Sequence, residues 1–80
     1  MKPAELFKLI DSSYTHMTKD ADGEVWIWSF KPIKNRSHWF KDNNTKTRKS
    51  LRIYDRVPEW LGVDFPKNKS WEDCIVLRRN

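Results

Sequence analysis

Glu24-Val25-Trp26-Ile27-Trp28-Ser29-Phe30 decides the fold of this chain. The run is β-branched and aromatic, the composition that suits a pleated, half-buried surface. Alternate side chains point to opposite faces, so Val25, Ile27 and Ser29 face one way and Trp26, Trp28 and Phe30 the other. Both faces are apolar, which predicts a central strand covered on one side by the N-terminal helix. Asp22-Gly23 stands immediately before it and signals a tight hairpin turn. A partner strand is therefore expected at Tyr14 to Thr18, across the Lys19–Gly23 connection.

Towards the N-terminus, Pro3 to Ile10 reads as a short helix. Pro3 suits a first turn, where its missing N–H is no loss, and Leu6, Phe7, Leu9 and Ile10 form an apolar stripe. Towards the C-terminus, Pro32 ends the central strand. Ser37-His38-Trp39-Phe40-Lys41 is a shorter candidate strand. Asp42 to Ser50 is polar and basic and reads as an exposed loop. Leu51 to Val57 alternates, with Leu51, Ile53 and Val57 inward and Arg52, Tyr54 and Arg56 outward. Pro58 to Gly62 reads as a turn or one helical turn, Val63 to Ser70 as irregular, Trp71 to Leu77 as the last strand, and Arg78-Arg79-Asn80 as a charged tail. No helical pattern separates the later strands, so an antiparallel sheet is expected rather than parallel crossovers. The fold class is α+β: one N-terminal helix packed on a small twisted antiparallel sheet of about four strands. Leu6, Phe7, Ile10, Val25, Ile27, Leu51, Ile53, Ile75 and Leu77 are the expected core, together with several of the five tryptophans.

Eighty residues make a single domain. The large aromatics compensate for the small core of so short a chain. One cysteine, Cys74, excludes an internal disulfide and a CxxC metal knuckle, and its apolar neighbours Trp71, Ile75, Val76 and Leu77 predict a buried, inert thiol. No apolar stretch approaches the roughly 20 residues that span a bilayer, and Glu5 and Lys8 interrupt the start, unlike a signal peptide. The expected setting is the cytoplasm, with no membrane partner.

Charge is unevenly distributed. Lys31, Lys34, Arg36, Lys41, Lys46, Arg48, Lys49, Arg52 and Arg56 face only Asp42 and Asp55 in the segment 31–56, whereas the rest of the chain carries seven cations and nine carboxylates. Such a block favours an acidic partner. Lys46, Arg48 and Lys49 on the loop, with Arg52 and Arg56 on the outward strand face, are candidate phosphate contacts. Tyr54 lies between the two arginines and could stack on an unpaired base. Lys34 and Arg36 extend the candidate surface, and Trp39, though expected in the core or at its rim, has the best claim of the five tryptophans to exposure because it sits beside the basic segment. Trp26, Trp28, Trp60 and Trp71 are expected in the core or at its rim.

Catalysis has little support. His16 and His38 are the only histidines, and their spacing forms no acid–base arrangement. Carboxylates are scattered, so neither a metal nor another cofactor is expected. With Gly23 and Gly62 alone, no Gly-rich phosphate loop exists.

The order Asp22-Gly23-Glu24-Val25-Trp26, then Lys31-Pro32, Trp39, and Val63-Asp64-Phe65-Pro66 ahead of Trp71-Glu72-Asp73 resembles a group of small bacteriophage-encoded accessory proteins. Those chains run from an aspartate–glycine hairpin to a lysine–proline pair and end in a DFP…WED segment. The resemblance implies a phage or prophage gene expressed in a bacterial cytoplasm, and no particular activity. The loop Asp42 to Ser50 lies outside the shared pattern. Two functions fit: a non-enzymatic module that binds RNA or DNA through its basic loop and strand, or a phage protein that binds and inhibits a host nuclease, toxin or polymerase.

Overall fold

The computed structural model describes residues 1–34, 39–40, 49–66 and 70–79. Among them the strands are β1 (His16–Lys19), β2 (Val25–Trp28), β3 (Ile33–Lys34), β4 (Trp39–Phe40), β5 (Ser50–Arg52) and β6 (Ile75–Leu77). The short helix α1 (Pro3–Leu6) runs on into a 3₁₀ turn, Phe7–Leu9. Four strands form one antiparallel sheet in the order β5-β2-β1-β6, and β3 and β4 pair as a separate ribbon. The expected α+β architecture is thus present, with the aromatic run at its centre.

The β1–β2 hairpin sets the register, Met17 opposite Ile27 and Thr18 opposite Trp26. Gly23 takes φ 92°, which only glycine adopts without strain. Its N–H donates to the Asp20 carbonyl at 3.0 Å, and the Asp22 carboxylate accepts the Glu24 N–H at 3.0 Å. The sheet's first face carries Met17, Val25 and Ile27. Leu6, Phe7 and Ile10 cover it, and Ile53, Val57, Phe65 and Cys74 complete the core. On the second face the buried Trp28 donates its indole N–H to Thr18 Oγ1 at 2.8 Å, giving each polar atom a partner where water cannot reach.

Several expectations change at the ends of elements. The helix expected to reach Ile10 is α-helical only to Leu6, because so short a segment cannot support its own nucleation. The strand expected over residues 14–18 lies at 16–19. The strand expected over 51–57 stops at Arg52, and Ile53–Asp55 is a 3₁₀ turn. There the Ile53 carbonyl accepts both the Arg56 and Val57 N–H groups, so Ile53 and Val57 reach the core by wrapping over it. Trp71–Asp73 is also a 3₁₀ turn, begun by Ser70, whose Oγ accepts the Glu72 N–H at 3.3 Å, and β6 starts only at Ile75. Of the loop expected over 42–50, residues 42–48 lie outside the described residues, and Ser50 already belongs to β5. Of the strand expected at 37–41, Ser37, His38 and Lys41 lie outside the described residues.

Three apolar assignments also change. Leu77 is 57% exposed, because β6 is an edge strand and Leu77 sits at its end. Trp60 is 81% exposed, since its neighbour Leu61 packs against the core instead. Trp39, the tryptophan with the best claim to exposure, is only 6% exposed and so leaves the candidate surface for the core. Its main-chain N–H donates to Asp20 Oδ1 at 2.9 Å, its indole N–H to the Trp71 carbonyl at 3.3 Å, and its ring meets Trp71 edge-on at 6.4 Å.

The tail read as simply charged is a clamp. Arg78 Nε donates to the Tyr14 carbonyl at 2.7 Å and Nη1 to that of Phe7 at 2.8 Å. Nη2 donates to the carbonyls of Asp11 at 2.7 Å and Ile10 at 3.4 Å. The guanidinium carbon also lies 4.8 Å from the centre of the Phe7 ring. Replacing this residue by methionine leaves those carbonyls without their donor, so Arg78→Met is expected to lower unfolding stability by about 3 kcal/mol, read from urea denaturation. Arg78→Lys, a point charge that cannot fork, falls between the two.

Candidate functional site

β2 and β5 together build the surface that the sequence marks for binding. Their register sets Arg52 opposite Trp26 and Ser50 opposite Trp28 on the second face. Arg52 extends over the Trp26 ring, 5.8 Å from its centre, and its Nη2 lies 3.5 Å from Glu24 Oε1. The other Glu24 oxygen accepts the Trp26 indole N–H at 3.3 Å. One carboxylate therefore orients both the cation and the ring beneath it. Trp26, Trp28 and Phe30 continue as a row along β2, with centroids 6.1 and 5.8 Å apart. Trp28 is buried, so Trp26 is the accessible indole of the first pair.

At the other end of β5, Lys49 is held by two bonds to one residue. Its N–H donates to Ser29 Oγ at 2.9 Å and its carbonyl accepts the Ser29 N–H at 3.0 Å. Its side chain is exposed. Tyr54 and Arg56 are exposed as well, but the 3₁₀ turn removes them from the strand, so Arg52, Tyr54 and Arg56 do not share the flat face expected of them. Instead, Arg52 and Tyr54 line a cleft of about 370 Å³ whose other walls include Asp22, Glu24, Asp55 and Glu59. Carboxylates thus surround the site's central cation. The sequence could have shown part of this, because Glu24 lies two residues before Trp26 on the same strand face.

Lys34 belongs elsewhere. It lines a second cleft, of about 530 Å³, with Lys31, Trp39, Glu72, Asp73 and Ile75, beside β6 at the far edge of the sheet. The structure therefore brings Lys49, Arg52 and Tyr54 to the β5 side and leaves Lys34 apart; Trp39 is withdrawn into the interior. Arg36, Lys46 and Arg48 lie outside the described residues.

Other reactive groups are already engaged. His16 Nδ1 is 2.8 Å from Thr15 Oγ1, and His38 lies outside the described residues. Cys74 is buried, with its thiol 3.3 Å from the Ser70 carbonyl. Asp20, Asp22 and Glu24 approach one another, with one oxygen of each within 4.8 Å, but the hairpin, Trp39 and Arg52 use them. A main-chain bond from Ser13 holds the exposed Asp11 carboxyl below its usual range. No helix of the described residues is long and apolar enough to cross a membrane. Comparison with protein-family models, curated proteins and solved structures gave no match.

Partial burial, then the nearby Lys31 ammonium, lower the pKa of His16. The unfolded chain consequently binds its proton first as pH falls, and stability declines from neutrality downward through the histidine range. Urea midpoints measured from pH 8 to about pH 5 are expected to drop more steeply for the wild type than for His16→Gln.

Proposed function

We propose that this chain is a non-enzymatic binding module that takes RNA or DNA along the β5 side of its sheet. The observation that carries the reading is Arg52 held over the ring of Trp26 on the outer strand of the described sheet, with the exposed Lys49 before it and Tyr54 and Arg56 after it. The arginine fork suits phosphate oxygens, and Trp26 and Tyr54 offer flat surfaces for unpaired bases. Lys46 and Arg48 stand immediately before Lys49 in sequence and add to the positive approach. Glu24 stands 3.5 Å from one Nη of Arg52 and competes with a phosphate for the guanidinium, so it weakens the contact.

Mobility shifts on single- and double-stranded RNA and DNA across a salt series test this. Binding should weaken steeply with salt. In Lys49→Ala/Arg52→Ala the log–log slope should become shallower by about 1.5, one phosphate for each cation lost. Tyr54→Ala should weaken single-strand binding roughly tenfold. Glu24→Gln, which frees the guanidinium, should tighten it. Absence of any shift at low salt overturns the reading.

Trp60 favours a second reading. An indole exposed to this degree on a 3₁₀ turn has the character of a protein-interface anchor. In that reading the chain is a phage protein that binds a host nuclease, toxin or polymerase. A tagged chain should recover one bacterial protein with or without nuclease treatment, and Trp60→Ala should abolish the recovery. Recovery unchanged by Trp60→Ala counts against the indole as anchor.

A further inference from the structure

The opposite edge of the sheet has a different chemistry. In the β1–β6 ladder, the Lys19 N–H donates to the Cys74 carbonyl and the Arg78 N–H to that of Thr15. Cys74, Val76 and Arg78 thus turn their main-chain groups towards β1, because hydrogen-bonded and non-bonded positions alternate in an antiparallel pair. Ile75 and Leu77 point theirs outward, and no described residue bonds them there. Their side chains share the sheet's second face, where Leu77 is more than half exposed. On the first face Val76 borders an apolar groove with Pro3, Phe65 and Pro66. An edge left unpaired among the described residues, with apolar side chains on both faces, is a template for another strand.

We propose that the β6 edge pairs with the β6 edge of a second copy of this chain, antiparallel about a two-fold axis through Val76. Side-chain chemistry selects both the occupant and the register. An axis at Ile75 carries Leu77 past the start of the other copy's strand, beside the turn that ends at Asp73, and an axis at Leu77 sets Ile75 against Arg79. Both registers bring an apolar side chain towards a charge. An axis at Val76 sets Ile75 against Leu77 of the second copy on one face and the two Val76 side chains against each other on the other. The outward N–H and C=O groups of Ile75 and Leu77 then meet in reciprocal hydrogen bonds. Antiparallel pairing also brings the turn that ends at the exposed Asp73, just before β6 of one copy, towards the exposed Arg79 that follows β6 of the other. The edge is therefore complementary to itself in hydrogen bonding, apolar contact and charge, as an isologous interface requires.

A three-residue edge makes a small interface, so the dimer is weak, dissociating on the order of 100 µM. Sedimentation of the purified chain from about 10 µM to about 1 mM should show a monomer becoming a dimer. Leu77→Lys leaves the β1 ladder intact and should weaken association at least tenfold. Asp73→Arg and Arg79→Asp, both at exposed positions, should each weaken self-association several-fold, and an equimolar mixture of the two should form a heterodimer as readily as the wild type dimerises. A wild type that is monomeric at the highest concentration overturns the proposal and leaves the edge to a strand from another protein. So does a dimer indifferent to Leu77→Lys and to the charge reversals. The measurement contains no nucleic acid, so its outcome is independent of the reading of β5.

Discussion

The guanidinium of Arg78 is the constraint on which the rest of the structure depends. The N-terminal helix has too few turns to satisfy its own last carbonyls, and the chain then bends through Asp11 before entering β1. Arg78 supplies donors to that bend from the other end of the sequence, while its own main-chain N–H extends the β1–β6 ladder through Thr15. A positive charge is also favoured where helical carbonyls point. One side chain thus fixes helix, first strand and last strand relative to one another. The helix can then press Leu6 and Phe7 onto the sheet although it is too short to be stable alone.

The centre of this arrangement was legible in the sequence and its margins were not. Val25 to Phe30 announces a central strand with two apolar faces, and Asp22-Gly23 announces the hairpin, because each is a local property of backbone and side chain. Margins depend on what lies across from them. Alternation of Leu51, Ile53 and Val57 fits a strand, yet the chain turns after Arg52 and still buries Ile53 and Val57. The tryptophans make the same point. Trp39 and Trp60 are equally apolar, but only Trp39 finds a carboxylate and a carbonyl for its two N–H groups inside the fold. Partners that are distant in sequence decide which indole is buried, and no spacing rule reveals them. Arg78 was overlooked for the same reason, since a terminal arginine looks solvated until its acceptors are known.

Charge patterning was informative in a similarly partial way. The excess of cations between residues 31 and 56 is real, but proximity in sequence does not make one surface. Lys34 and Lys49 stand towards opposite edges of the sheet, and Arg52 sits among carboxylates contributed by the hairpin and by the turn after β5. A linear charge count omits Glu24, which lies across the strand pair from Arg52. The resulting site is a cation over an aromatic ring with a carboxylate in attendance, a geometry that favours exchange of one anion for another over simple long-range attraction.

The two sheet edges therefore solve the problem of unpaired backbone differently. β5 runs between Lys49 and Arg52, both exposed, and charged side chains at a sheet edge discourage another strand from docking there. β6 has no charge within its three residues; its acidic turn precedes it and its arginines follow it. Opposite charges at the two ends of an apolar strand are what antiparallel self-pairing needs, because reversing the strand direction brings each end against its complement. Both edges are built from the same backbone pattern, so the placement of a few side chains is what makes one edge cationic and the other apolar.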